Sequence, residues 1–479
     1  MSGERWASGI LCAAVLAVSA PARAFDPLRA ETSIPAGPAS PVISNPALCV
    51  FESVGQPLRL DEAVERALCT SPKTRQAWID VKLRAAQVGQ GRAAFLPTVS
   101  AQWQAVHDDS VTDITGHPDL SSANRSSIRS ENISLSWVLY DFGGRSAALR
   151  NASELLNAAQ ASQEAQLQKN LSDVAHDYYG AQAAQGALEA ADEVVGTARD
   201  SLAAATARAE RGIVPGSDEL QARTAYAQAV FNRTKAQGEW ETAIGTLASD
   251  MNLAPDQPIS LPSVAENVGP VDEFRDSVAA LMDEARRTHP SVRAAQAELD
   301  AALAKTRQIR AQGLPTLSLT AKYSTNNQPA TLGLGIPQFP ATGHDWFIGF
   351  QISIPIFEGF SRVYQVREAE AQSEMQQAVL DEARRQVAID VWNAYYALDA
   401  ATRNVNNSAT LLDAAALSYT AAERRYAKSV GGILELLSAQ SDLANARKQR
   451  IQAITDWRNA RLQLAAKLGH LGMWQLSEQ

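Results

Sequence analysis

The chain has 479 residues, of which 46% are apolar and 20% charged, enough for a large core and too apolar for compositional disorder. Its formal net charge of −9 argues against nucleic acid as a partner and fits a solvated acidic surface.

In chain order, Arg5, the apolar run Ile10 to Ala20 and Ala22-Arg23-Ala24 mark residues 1–24 as a secretory signal peptide, with cleavage expected after Ala24. The run is shorter than the roughly 20 residues a membrane span requires. Cys12 lies inside this segment, which leaves Cys49 and Cys69. An even pair in an exported chain invites a disulfide that would tie the N-terminal arm to the first helix; two separate thiols are the alternative. Residues 25–57 hold Pro35, Pro38, Pro41, Pro46 and Pro57 and read as an extended arm. No later run is apolar for long enough to be a transmembrane helix, so a membrane crossing would have to use strands.

Two units follow, residues 58–252 and 274–470, separated by a linker at 253–273 with Pro255, Pro258, Pro262 and Pro270, and trailed by a tail at 471–479. Leu96-Pro97 recurs as Leu314-Pro315, an offset of 218 (315 minus 97). Tyr140-Asp141-Phe142-Gly143-Gly144-Arg145 recurs as Phe357-Glu358-Gly359-Phe360-Ser361-Arg362 at 217 (357 minus 140), and Tyr178-Tyr179 recurs as Tyr395-Tyr396 at 217 (395 minus 178). Such regular spacing indicates a duplicated helix-strand-strand-helix-helix unit. Helical patterning opens the units, near Leu60 to Ala94 and near Val278 to Gln312.

After each Leu-Pro the hydrophobic period changes to two, predicting strands at about 96–106, 131–141, 314–324 and 346–357. Val99, Ala101 and Trp103 alternate with polar residues, as do Ile133, Leu135, Trp137 and Leu139; Leu317, Leu319, Ala321 and Tyr323; and Trp346, Ile348, Phe350 and Ile352. A soluble sandwich strand alternates in the same way. The signal peptide and the polar loops at 107–130 and 325–345 favour a membrane barrel, with lipid outside and water inside.

From Phe360 to Val430 there is neither Gly nor Pro, and one helix of that length would be on the order of 100 Å long. Its counterpart, Ser146 to Val214, also lacks Pro. Frequent Ala permits close packing on two sides, which suits the wall of a hollow helical tube; a pore-less periplasmic coiled-coil protein shares these traits and is the alternative. Four strands per chain would leave two bare edges in hydrocarbon, so a barrel requires several copies. Eight strands fill their own interior, whereas twelve or sixteen can leave a channel.

These features resemble the TolC family of outer-membrane factors, the exit ducts of type I secretion and tripartite efflux. The likeness covers about Leu58 to Leu468. It rests on the paired Leu-Pro entries, the two strand-to-helix turns (Asp141, Gly143, Gly144, Arg145; Glu358, Gly359, Arg362) and the helix–helix turn from Gly212 through Pro215 and Gly216 to Arg223. Within the family the chain is also similar to a duct for an adenylate cyclase–haemolysin toxin. The resemblance implies a mainly α fold with a membrane β-barrel. It further implies a homotrimer whose twelve-stranded barrel sits in outer-membrane lipid and joins a long periplasmic α-helical barrel. The implied partners are an inner-membrane ABC transporter, a membrane-fusion adaptor and an exported polypeptide, an RTX-type toxin in a type I system. Small molecules are the alternative cargo.

At the periplasmic entrance the resemblance maps the closing carboxylates onto Glu435 and Ser438, so one acidic ring is expected where relatives have two. Standing alone, Glu435 reads as a solvated first-turn Glu favoured by the helix dipole. The family's closed-state latch maps onto Asp218 and Tyr426. Its Arg position is Gly431, a departure that leaves Arg425 or Lys428 as substitutes. Gly431-Gly432 and Pro215-Gly216 break the helices, with Ser217 or Asp218 expected to cap the next one. The six His show no ligand spacing, and there is no phosphate-binding Gly loop, so neither an enzyme, a metal nor a cofactor is expected.

Overall fold

The computed structural model describes residues 26–40, 49, 51, 57–264, 277–328 and 341–470. The expected signal peptide and tail, and parts of the arm and linker, lie outside the described residues. The first repeat runs through α1 (Leu60–Thr70), α2 (Pro72–Ala93), β1 (Thr98–Thr112), β2 (Ser122–Tyr140), α3 (Gly144–Glu210) and α4 (Gly216–Asp250). The second runs through α5 (Val278–Thr288), α6 (Pro290–Ala311), β3 (Thr316–Asn326), β4 (Gly343–Ser353), α7 (Ser361–Ala427) and α8 (Ile433–Leu468).

The opening helix of each repeat is two helices rather than one. Pro72 and Pro290 have no N–H to donate, so each starts a new helix where that donor is not needed. Both α3 and α7 contain 67 residues.

One compact unit holds residues 82–156 and 299–375, with the four strands at its centre. They form a single antiparallel sheet in the order β1-β2-β3-β4. The first hairpin is longer than the expected 96–106 and 131–141, its ladder continuing from Trp103–Glu131 to Thr112–Ser122. Two strands that pair with each other satisfy their backbone groups in water as well as in lipid, so the ladder need not stop where the apolar pattern does. A bulge between Val138 and Tyr140 makes Leu139 the extra residue and puts Tyr140, instead of Leu139, opposite Leu317.

A second unit holds residues 35–81, 157–298 and 376–479. Its core gathers Leu58, Val64 and Leu68 with Leu167, Leu171, Tyr178 and Tyr179 of α3, Leu247 and Met251 of α4 and its following turn, and Leu462 of α8. The Tyr178 hydroxyl donates to the Leu58 carbonyl at 2.9 Å, so the polar tip of a buried ring is satisfied. Cys49 and Cys69 are joined in a disulfide with Cα atoms 5.5 Å apart. Cys69 packs against this core, so the bridge ties the arm to α1.

Candidate functional site

Antiparallel partners directly opposite each other share a face, so the register sorts the sheet into rows. One row holds Val99, Leu135, Ala321 and Ile348; the next holds Ala101, Ile133, Tyr323 and Trp346; a third holds Trp137, Leu319 and Phe350. Alternating rows hold Ser100, Ser134, Lys322 and Phe347, then Gln102, Asn132, Ser324 and Asp345. The sheet therefore has one apolar face and one largely polar face. On the polar face the Ser100 and Ser134 hydroxyls lie 2.7 Å apart, Asn132 Nδ2 donates to Gln102 Oε1 at 3.3 Å, and Ser324 donates to Asp345.

The apolar face is bare in a single chain: Trp346 and Phe350 are 70% and 73% exposed. Strand β4 ends at Ser353 rather than at the expected 357, two residues before Pro355 with its missing N–H. Its alternation from Trp346 to Ile352 covers six residue steps, about 15 Å after a tilt of roughly 40°, and the exposed Ile354 and Ile356 follow beyond the strand. Trp103, Tyr323 and Trp346 mark one end and Tyr140, Phe142, Phe357 and Phe360 the other, all exposed, as aromatic girdles are. Beyond the Trp103 end the same face turns polar, with Arg125 Nη2 on Asp109 Oδ2 at 2.6 Å. Among the described residues, strands β1 and β4 are each paired on one side only, so two edges stay open. Among the described residues no helix is long and apolar enough to cross a membrane.

The strand-to-helix turns place their expected residues together. Phe142 and Gly143 both take positive φ, 51° and 87°, as do Gly359 and Phe360, 60° and 64°. Asp141 Oδ2 accepts from the Arg145 backbone N–H at 2.7 Å and from its Nε at 3.1 Å, while Arg145 Nη1 donates to the Val138 carbonyl at 2.6 Å. Glu358 receives Arg362 through both oxygens at 3.0 Å. Each arginine fixes the angle at which a strand turns into a long helix, and Gly144 at the start of α3 fits closely against Asp141.

The helix–helix turns share one motif. After α3, Gly212 takes φ 68° and the Ile213 N–H donates to the Arg208 carbonyl at 2.9 Å. After α7, Ser429 takes φ 57° and Val430 donates to the Arg425 carbonyl at 3.0 Å. Both are left-handed helix terminators. Pro215 and Gly432 stand at the caps of α4 and α8 without a side-chain cap. The expected capping by Ser217 or Asp218 is therefore not made: Gly216 already belongs to α4, which puts Asp218 inside its first turn. Gly431 sits tightly against Arg425 and Glu435, where a Cβ would come within 3.1 Å of either side chain.

Glu435 and Ser438 are exposed on one face of α8, opposite the buried Ile433 and Leu436. Arg425 Nε lies 3.2 Å from Glu435 Oε1. The expected latch is not assembled within one chain. Tyr426 is only 5% exposed and packs with Ile433 and Leu436, and its hydroxyl has no hydrogen-bond partner there. Among the described residues the Asp218 side chain makes one long contact, accepting from Ser217 Oγ at 3.5 Å, and Lys428 forms no ion pair. What holds the second turn is Arg208 of α3. Its guanidinium lies 4.4 Å from the centre of the Tyr426 ring, and its Nη1 and Nη2 donate to the Tyr426 and Ala427 carbonyls at 2.8 and 3.0 Å. These carbonyls end α7 and lack helical partners, so a fork of N–H donors satisfies both. Patterning does not single out Arg208; the 217-residue offset that matches it to Arg425 does. Among the described residues no group of His, Cys, Asp and Glu could hold a metal.

A family profile described as outer membrane efflux protein matches residues 63–252 and 281–470. Protein CyaE of Bordetella pertussis is 33% identical over 473 residues, covering 98% of this chain and 96% of that protein. The solvent efflux pump outer membrane protein SrpC of Pseudomonas putida is 26% identical over 350 residues, covering 71% of this chain and 70% of that protein. The crystal structure of the Campylobacter jejuni CmeC outer membrane channel superposes with a TM-score of 0.74 at 16% identity, covering 90% of this chain and 92% of that one.

Proposed function

The chain belongs to the outer membrane efflux protein family, the TolC-like channels of the Gram-negative outer membrane, and on that premise we propose that three copies pool their strands into one twelve-stranded exit duct. The carrying observation is the sheet: a continuous apolar face, a polar face behind it, and two edges without partners. In hydrocarbon each unmatched N–H and C=O costs several kcal/mol, so the edges must close on copies of themselves.

The duct serves a type I secretion system, passing an unfolded polypeptide of the RTX toxin class delivered by an inner-membrane ATP-driven pump and an adaptor. Near full-length similarity to CyaE supports this reading. Small-molecule efflux is the second reading, favoured by the weaker similarity to SrpC. At the entrance Glu435 contributes one carboxylate per copy, and Ser438 leaves the next turn neutral. Arg425 offsets part of that charge, which permits three carboxylates to approach one another. Arg208 grips the second turn inside each chain, while Asp218 and Lys428 are left to meet across neighbouring copies.

Deletion in the source bacterium separates the readings. Loss of one secreted polypeptide, with unchanged tolerance to solvents and dyes, is the expected outcome. Increased solvent or dye sensitivity with a normal secretome would establish efflux. Recovery of the protein wholly in the soluble periplasmic fraction would end both.

A further inference from the structure

The polar face of the sheet carries a pattern that the two repeats do not share. In the rows that cross all four strands, from Thr98 to Gln104, this face holds Ser, Thr, Gln, Asn and Gly, with exceptions on the second hairpin alone: Lys322, Asp345 and Phe347. The repeat offsets are 218 for β1 to β3 (315 minus 97) and 217 for β2 to β4 (357 minus 140), so their counterparts are Gln104, Ile128 and Ser130. Every charge in these rows therefore comes from the second hairpin, as one cation and one anion per chain. The next carboxylate on the face, Asp108, lies beyond them, where β1 and β2 continue without β3.

Lys322 stands directly opposite Phe347, and Asp345 is its diagonal neighbour, one row nearer the Trp103 end. Diagonal neighbours are about 7–8 Å apart, within reach of a long side chain, so each charge feels the other. Asp345 accepts a hydrogen bond from Ser324, and Lys322 forms no ion pair among the described residues. Phe347 is 50% exposed. A Cβ at Gly349, the next position along that face of β4, would meet nothing within 4 Å, so the ring does not lie down on the sheet. An apolar ring beside Lys322 lowers the local dielectric and strengthens the field of the charges next to it.

Resting on the trimeric duct reading, we propose that Lys322 and Asp345 form two opposed charge rings in the barrel lumen, and that their balance sets the ion selectivity of the exit. The cation preference of the whole duct then comes from Glu435 at the entrance. A ring of one sign holds stretches of opposite charge on a passing polypeptide, whereas two rings of opposite sign release both. Lys322 is the deciding partner, because without it the exit would carry a second acidic ring.

The test uses the full chain in planar bilayers, with reversal potentials read in a KCl gradient at low ionic strength, where such rings are least screened. Lys322→Gln should raise cation-over-anion permeability about twofold, Asp345→Asn should lower it about twofold, and the double variant should return to wild type. Phe347→Ser changes no charge and should shift permeability less than either. Lys322→Cys, modified after insertion, separates charge from folding. Cys49 and Cys69 already bond to each other, so the reagent meets no free native cysteine among the described residues. A trimethylammonium-bearing methanethiosulfonate should restore the wild-type value, and a sulfonate-bearing one should push cation preference beyond that of the unmodified thiol. Open channels whose reversal potential ignores Lys322 and Asp345 would overturn the rings and leave the duct standing. A Phe347→Ser shift as large as that of Lys322→Gln would do the same. No channels from the wild-type chain would instead overturn the duct reading itself.

Discussion

Asp250 ends α4 of the first repeat beside Asp177 and Asp173; at the matching place in the second, Lys467 reaches Asp390 at 2.8 Å. One position thus carries repulsion in one half and attraction in the other. Burial first, then the Asp177 carboxyl, pushes the Asp250 carboxyl up to about 7. The tips differ in the same manner. Arg208 reaches across to the other hairpin, whereas its counterpart Arg425 folds back onto Glu435. Tyr178 and Tyr179 are buried, whereas Tyr396 lies open. Duplication supplied two copies of each part. The Tyr178–Tyr179 pair of the first copy is used inside the chain, whereas Tyr396 of the second is left exposed.

Removing the bridge that only the first half possesses tests this division most severely. Cys69→Ser opens a loop of sequence separation 20 and should lower unfolding stability by about 3 kcal/mol in denaturant titrations. An equally stable variant would mean that the arm adds nothing to the first half.

Next in size is the grip at the tip. Arg208→Ala loses a ring contact and two hydrogen bonds to terminal carbonyls, about 2 kcal/mol together, and should raise single-channel conductance in planar bilayers several-fold. Arg425→Ala breaks a solvent-exposed pair worth about 0–1 kcal/mol and should leave conductance near wild type. Equal responses would erase the distinction between the two tips.

A smaller effect belongs to Asp250. A carboxyl with a raised folded pKa contributes stability below its ordinary pKa near 4 and loses it as pH rises through about 7. Asp250→Asn should therefore flatten the pH dependence of the thermal midpoint between about 4 and 7, and raise that midpoint at pH 8 by about 2 °C. A midpoint at pH 8 below wild type would contradict the repulsion. Smallest is Glu435→Gln, which should lower cation-over-anion permeability by about twofold through loss of the carboxylate ring, with little change in conductance. Unaltered selectivity would remove Glu435 from the entrance.

The paired landmarks and the alternation in the strands were legible because both are local or periodic, and a period of two assigns faces without knowledge of partners. The bulge at Leu139 was not, since it depends on how β2 meets β3. The contact that holds the second turn within one chain was not legible for a similar reason. Asp218, Tyr426 and Lys428 occupy recognisable turn positions, but which cation reaches the end of α7 depends on Arg208, 218 residues before the carbonyl it binds.

The amino-acid order by itself determined the duplication, the strand faces, the long helices and the need for more copies, because hydrophobic period and backbone hydrogen-bonding demand are properties of short segments. Only the folded chain decided the ladder register, the disulfide between Cys49 and Cys69, the partners of Arg208 and Arg425 and the bare face of α7. Each of these depends on how separate elements come together, and a hydrogen bond or ion pair that falls off within a few ångströms cannot be read from spacing along the chain.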